Sequence, residues 1–129
     1  MSVASTRKVM EKYWQAHDPS YIADDGVYTD MASGQEARGR DAVSAMLNWF
    51  FNVAFQARAE RTRLMVADGH ATWEGYFIGK HTGEFAGIPA TGREVRVPYC
   101  VSYDVENDKI ARARIYMTAA IMQQLTGAG

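Results

Sequence analysis

The spacing of apolar residues changes along the chain from a helical period to an alternating one. Residues 5–16 carry apolar side chains every three or four positions, which predicts a helix. This helix should end before Pro19, because the residue preceding a proline avoids helical angles. Residues 41–52 have a wide apolar face and predict a second helix. Between the two helices, the pattern predicts a single helical turn at residues 20–24 and a brief strand at residues 27–30.

Beyond residue 54, apolar and polar residues alternate, which is typical of strands with one buried face. The pattern predicts strands at residues 55–66, 71–80, 94–105 and 110–117, and a short C-terminal helix. Asp68-Gly69 is a strong hairpin signal between the first two of these strands. Helices followed by long antiparallel strands indicate an α+β fold, with a curved sheet wrapped on the helices.

Composition narrows the class of protein. The 129 residues suit one domain, expected to span residues 1–129. The net charge of −1 gives no indication of a nucleic-acid or membrane partner. A single cysteine, Cys100, favours a reducing compartment, and residues 1–12 lack the apolar stretch of a signal peptide, so we expect a cytoplasmic protein. No motif predicts a cofactor, and the histidines lack the spacing of a metal site.

Residues 79–98 form the most distinctive stretch of the chain, because two strand-like segments flank a turn at Gly87, Pro89 and Gly92. This stretch resembles the central hairpin of the SnoaL-like polyketide cyclases, a branch of the nuclear transport factor 2-like superfamily. Residues 39–43 are similar to that family as well. The resemblance implies a cone-shaped curved antiparallel sheet around an internal apolar pocket, a small hydrophobic substrate, and a homodimer formed through the sheet.

Asp30 is the first candidate for catalysis. It follows the strand-like residues 27–29, and its position is similar to that of an aspartate in ketosteroid isomerases that moves a proton between substrate carbons. Such a role requires a partly desolvated carboxylate. The alternative is an aspartate that stabilises a loop by binding nearby backbone N–H groups.

Two tyrosines are candidates to assist Asp30. Tyr28 lies on the same side of its strand as Asp30, since residues two apart point the same way. Tyr99 lies on the apolar face of strand 94–105, and the resemblance to ketosteroid isomerases puts it at their second oxyanion donor. A tyrosine hydroxyl can stabilise an enolate oxygen in such a place. Either tyrosine can instead be an ordinary core residue.

His81 and a set of apolar residues complete the predicted site. Histidine is common at this position in SnoaL-like proteins, and His81 is expected to act either as a proton shuttle or as a structural residue beside the hairpin. The expected substrate-binding wall comprises Tyr13, Trp14, Phe50, Trp73, Val97, Val101, Ile115 and Met117.

The chain departs from related patterns at two positions near its last strand. The SnoaL-like pattern continues with an aspartate that is expected to act as acid and base in the polyketide cyclases, and this chain has Thr118 there. The segment Tyr28-Thr29-Asp30 also resembles part of the limonene epoxide hydrolase site. Those enzymes need a further aspartate at a position where this chain has Ile115.

The expected function is a cofactor-independent isomerase, lyase or cyclase that acts by acid–base chemistry on a polyketide-like or terpenoid carbonyl compound. In that reaction Asp30 removes a proton next to the carbonyl group, and Tyr99, with Tyr28, stabilises the enolate oxygen. Two alternatives stay open. One is an epoxide hydrolase or dehydratase in which Asp30 and Tyr28 activate water or a leaving hydroxyl, and the other is a ligand-binding or dimerisation module without catalysis.

Overall fold

The structure is a computed structural model, and it describes residues 2–126. That part of the chain contains three α-helices and six strands. The helices are α1 (Val3–Trp14), α2 (Arg40–Asn48) and α3 (Thr118–Thr126). The strands are β1 (Ile22–Asp30), β2 (Glu36–Arg38), β3 (Phe55–Ala67), β4 (His70–His81), β5 (Glu94–Glu106) and β6 (Lys109–Tyr116). A 3₁₀ turn, Pro19–Tyr21, precedes β1, and a π-helical segment, Trp49–Ala54, follows α2.

All six strands form one curved sheet in the order β2-β1-β6-β5-β4-β3. Neighbouring strands are antiparallel except for β1 and β6, which run parallel. The predicted α+β cone is therefore confirmed, with the correction that its sheet is mixed rather than purely antiparallel. The parallel pair is possible because a long excursion through α2 and four strands separates β1 from β6 in the chain.

The inner face of the sheet and the helices enclose the core. Along β5, every second residue from Val95 to Val105 is buried, so the alternating pattern predicted this face correctly. The first helix packs on β3 and β4 and places Met10 and Tyr13 in the core, both of them fully buried. None of the helices within residues 2–126 has the length and apolar character needed to cross a membrane.

The structure differs from the sequence-based prediction at β2, at the end of α2 and at the start of β1. Strand β2 lies in a segment predicted as a loop, because three residues are too few to show an alternating pattern. Helix α2 ends at Asn48, earlier than predicted, and continues as the π-helical segment. Strand β1 begins at Ile22, within the residues that were predicted as a helical turn. The connection between β4 and β5 covers residues 82–93, in agreement with the predicted strand ends. Its Gly87 and Gly92 have φ of +80° and +69°, which glycine adopts without strain.

Candidate active site

A cavity of about 410 Å³ lies between the inner face of the sheet, α2, the π-helical segment and the β4–β5 loop. This volume is within the usual range of small-molecule pockets. Polar groups in the wall are concentrated near the end of β1, and most of the remaining wall is apolar. The apolar part includes Met46, Leu47, Trp49, Phe50, Phe51 and Phe85.

Three consecutive aromatic residues of the π-helical segment, Trp49, Phe50 and Phe51, line the cavity. In an α-helix, successive residues are rotated by about 100°, so three in a row spread over more than half of the circumference. The wider π-helical turn rotates successive side chains somewhat less and so narrows this spread. Turns of this kind are frequent at functional sites.

Asp30 is the last residue of β1 and lines the cavity. Its Oδ1 accepts hydrogen bonds from the backbone N–H of Ala32 (3.0 Å) and from the hydroxyl of Thr118 (3.1 Å). Its Oδ2 accepts a hydrogen bond from the hydroxyl of Ser33 (2.9 Å). Within residues 2–126 the Asp30 carboxylate has no ion-pair partner. Asp30 therefore stabilises the turn after β1 and also presents a carboxylate to the cavity.

The register of the sheet places the candidate polar groups on successive rows of the inner face. Asp30 lies opposite Ile115 on β6, and Ile115 lies opposite Val101 on β5. Tyr28 precedes Asp30 by two residues and therefore lies one row to one side of it. Tyr99 is two residues from Val101 and lies one row to the opposite side. Two residues of a strand span about 6.6 Å, so the tyrosines lie on either side of the Asp30 row.

The two candidate tyrosines differ in how their hydroxyl groups are used. The Tyr28 hydroxyl donates to the Tyr13 hydroxyl at an O–O distance of 2.8 Å, and both side chains are buried. The Tyr99 hydroxyl makes no hydrogen bond with the described part of the chain, although the residue is only 4% exposed. Burial raises the pKa of both Tyr28 and Tyr99, so each stays protonated at neutral pH. Tyr99 is therefore the hydroxyl available to a ligand.

Of the residues predicted for the site, Tyr28, Asp30, Phe50, Tyr99, Ile115 and Met117 line the cavity. His81, a predicted proton shuttle, does not. It is fully buried beneath the β4–β5 loop, where its Nδ1 lies 2.9 Å from the Thr91 hydroxyl and accepts the Thr91 backbone N–H at 3.2 Å. This position fits the structural alternative, in which His81 anchors the end of the loop.

The other predicted wall residues lie in the core and do not line the cavity. Trp14 stacks on Trp73 with ring centroids 4.2 Å apart, and the pair fills the end of the cone that α1 closes. The cavity is therefore confined to the opposite end. The predicted wall residues that fall outside it are Tyr13, Trp14, Trp73, Val97 and Val101.

Sequence reasoning missed several contributors to the wall. Phe85 comes from the β4–β5 loop, where Phe85 and Ile88 pair through backbone hydrogen bonds, and its ring stacks on Trp49 with centroids 5.9 Å apart. Trp49 and Phe51 were missed because the π-helical segment that brings them to the cavity has no recognisable period in the sequence. Ser33 gave no such signal, since its role depends on the turn that follows β1.

The charged groups of the cavity wall are acidic. Asp30 and Glu36 line the cavity, whereas no lysine, arginine or histidine of residues 2–126 does. Glu36 is paired with Arg38, whose guanidinium lies 2.8 Å from the Glu36 carboxylate. Asp30 is thus the wall carboxylate that no cation neutralises within the described chain.

An α+β cone with a curved six-stranded sheet and an apolar cavity defines a protein of the nuclear transport factor 2-like class. Within that class, the chain belongs to the SnoaL-like polyketide cyclase family, whose family model matches residues 4–125. No match was found among the curated proteins.

Solved structures with the same fold are similar over nearly the whole chain. A candidate SnoaL-like polyketide cyclase from Jannaschia sp. CCS1 has a TM-score of 0.83 and 14% identity, with 93% of this chain and 90% of that chain covered. TsrD from Streptomyces laurentii has a TM-score of 0.80 and 21% identity, with 100% and 99% covered. A protein with a ketosteroid isomerase-like fold from Catenulispora acidiphila, in complex with trimethylamine, has a TM-score of 0.66 and 21% identity, with 86% and 85% covered.

Proposed function

We propose that the protein is a cofactor-independent enzyme that moves a proton on a neutral, largely apolar carbonyl compound of polyketide-like or terpenoid type. The observation that carries this proposal is the Asp30 carboxylate, which faces an apolar cavity without a cation partner in the described chain. Membership of the SnoaL-like family supports an isomerase, lyase or cyclase.

In the proposed reaction, the Asp30 carboxylate takes the acidic proton from the carbon next to the substrate carbonyl. The electrons of that C–H bond move onto the carbonyl oxygen and form an enolate, which accepts a hydrogen bond from the Tyr99 hydroxyl. Asp30 then returns the proton to another carbon, which gives an isomer. Alternatively, the enolate carbon attacks a second carbonyl group and closes a ring, and the alkoxide formed on that carbonyl oxygen takes the proton from Asp30.

The charges of the wall support a substrate without a negative charge. An anionic group in this cavity would meet the carboxylates of Asp30 and Glu36 and no cationic side chain of residues 2–126. Repulsion of this kind is strong where aromatic walls exclude water. A neutral ketone avoids it and offers an oxygen that accepts a hydrogen bond.

Exchange of α-protons on 2-tetralone, a neutral aromatic ketone, tests this proposal. Proton NMR in D₂O measures the exchange rate. We expect the protein to accelerate exchange and Asp30→Asn to lower the acceleration at least about a hundredfold, as expected for loss of a general base. Asp25→Asn is the matched control, because Asp25 is an exposed aspartate of the same strand outside the cavity wall. Equal exchange by the wild type and Asp30→Asn would refute the proposal.

A ligand-binding module without catalysis is the second candidate. The hydrogen bonds that the Asp30 carboxylate accepts from Ala32, Ser33 and Thr118 favour it, because a purely structural aspartate would show the same bonds. In that case 2-naphthol, a planar analogue of the enol of 2-tetralone, should bind to the wild type and to Asp30→Asn, while neither protein accelerates exchange. Water activation by Asp30 and Tyr28 is less favoured, since Tyr28 donates its hydroxyl to Tyr13.

A further inference from the structure

Thr118 contacts the candidate base from a distant part of the chain. Its hydroxyl donates to Asp30 Oδ1 at 3.1 Å, although the two residues are 88 positions apart in the sequence. Thr118 is the first residue of α3, and both residues line the cavity and are half-buried. It stands where the SnoaL-like pattern leads us to expect an aspartate. This chain therefore has a neutral hydrogen-bond donor beside Asp30 where a second carboxylate was expected.

The turn after β1 is closed by local hydrogen bonds and does not need Thr118. The Asp30 backbone N–H donates to the Gln35 carbonyl at 2.8 Å, and the Gly34 N–H donates to the Asp30 carbonyl at 2.7 Å. The Ala32 N–H and the Ser33 hydroxyl bind the carboxylate from within the same turn. The Thr118 hydroxyl is the donor that comes from a separate element, so it acts on the side chain of Asp30 and not on the turn.

We propose that Thr118 is a positioning residue that holds the Asp30 carboxylate in one orientation towards the cavity. This inference rests on the proposed function, in which Asp30 is the base. The Ala32 N–H and the Ser33 hydroxyl hold one oxygen each from the turn, and the Thr118 hydroxyl adds a second donor to Oδ1 from α3. This third bond fixes the carboxylate relative to an element outside the turn, and a base displaced by about 1 Å can lose much of its activity. A threonine suits this task, because its hydroxyl orients a carboxylate without adding a second negative charge.

The orientation of Asp30 can be measured without any substrate. Three-bond NMR couplings from the Asp30 Cγ to the backbone nitrogen and carbonyl carbon report its χ1 rotamer. We expect a single rotamer in the wild type and in Thr118→Ser, which keeps the hydroxyl. Thr118→Val removes the hydroxyl but keeps the shape, and we expect averaged couplings there. Thr62→Val is the matched control, because the Thr62 hydroxyl binds the Glu74 carbonyl and lies outside the cavity wall.

Kinetics of 2-tetralone exchange separate positioning from binding. We expect Thr118→Val to lower kcat about tenfold with KM changed less than about twofold, and Thr118→Ser to keep most of the wild-type kcat. If the couplings behave as expected but the wild type accelerates no exchange, positioning stands and the proposed function fails. If exchange occurs and Thr118→Val alters neither the couplings nor kcat, positioning is overturned while the function stands. A Thr118→Ser variant as impaired as Thr118→Val also overturns it.

Discussion

Two buried tyrosines line the cavity, and hydrogen bonding decides which of their hydroxyl groups is available to bind a ligand. Tyr28 and Tyr99 both line the cavity, and only the Tyr28 hydroxyl has a partner in the described chain, Tyr13. The alternation of the strands predicted that both side chains point inward. It could not predict the bond to Tyr13, because that residue belongs to α1 and its distance depends on how the helix packs.

We expect Tyr99→Phe to weaken 2-naphthol binding about tenfold, since the ligand oxygen would lose its hydrogen-bond donor. Tyr28→Phe should weaken binding less, because its hydroxyl is committed to Tyr13. Fluorescence titration measures both effects. Tyr116→Phe is the control, because Tyr116 is exposed and outside the cavity wall. A larger loss for Tyr28→Phe than for Tyr99→Phe would contradict this assignment of the hydroxyl groups.

His17 gives the protein a specific sensitivity to acid. Its ring packs on Phe51 and Trp14, its Nε2 has no hydrogen-bond partner within residues 2–126, and burial lowers the pKa of His17 to about 4. The unfolded chain takes up this proton near pH 6.5. Between pH 6.5 and 4 the unfolded state therefore binds more protons than the folded state, so the free energy of unfolding falls as pH falls, by about 3 kcal/mol in total.

We expect His17→Asn to remove this pH dependence between pH 6.5 and 4. Asparagine suits the position, because His17 has φ of +50° and asparagine tolerates that region. Urea unfolding at several pH values measures how the free energy of unfolding changes with pH. Packing that the variant loses lowers this free energy equally at each pH, so it does not change the slope. Asp104 does not interfere with this measurement. The hydrogen bond from Arg114 lowers the pKa of Asp104, so its contribution to the free energy of unfolding is lost at more acidic pH. The same slope in variant and wild type would rule His17 out as its source.

At the level of elements, strand β4 depends on a glycine that faces a bulge in β3. The β3–β4 register shifts between Arg61 and Arg63, and Gly75 is opposite Arg61. A Cβ at Gly75 would overlap the Glu60 carbonyl oxygen and lie 2.7 Å from the Trp73 ring. We expect Gly75→Ala to lower the free energy of unfolding by about 2 kcal/mol, measured by urea denaturation, because the neighbouring backbone cannot move without breaking the ladder. A loss below about 0.5 kcal/mol would mean that the bulge relaxes freely.

The sequence predicted the long strands well and the short or unusual elements poorly. Strand β5 was predicted at residues 94–105 and found at Glu94–Glu106, because thirteen residues give a clear alternating pattern. The three residues of β2 and the π-helical segment Trp49–Ala54 have no period of their own to recognise. The contact between Asp30 and Thr118 was also beyond reach, since only the sheet and α3 together bring them close.

At the scale of the whole molecule, the two ends of the cone have different contents. Near α1, the large side chains of Tyr13, Trp14 and Trp73 fill the interior. At the other end, the π-helical segment and the β4–β5 loop leave the cavity open. The outer face of the sheet carries polar contacts, such as the Arg96 guanidinium carbon 3.7 Å from the centre of the Tyr76 ring. Homodimerisation through this sheet stays a prediction.

The distribution of charge around this cavity should make it select ligands by charge. Its wall carries Asp30 and Glu36 and no cationic side chain of the described chain. We expect 2-naphthol to bind at least about tenfold more tightly than 2-naphthoate, a ligand of similar shape with a carboxylate, because repulsion from Asp30 is poorly screened beside aromatic walls. Fluorescence titrations at low and high salt measure the ratio. Asp30→Asn should lower the ratio of the two affinities, and Asp25→Asn should leave this ratio unchanged. Tighter binding of 2-naphthoate than of 2-naphthol to the wild type would mean that the cavity accepts anionic substrates.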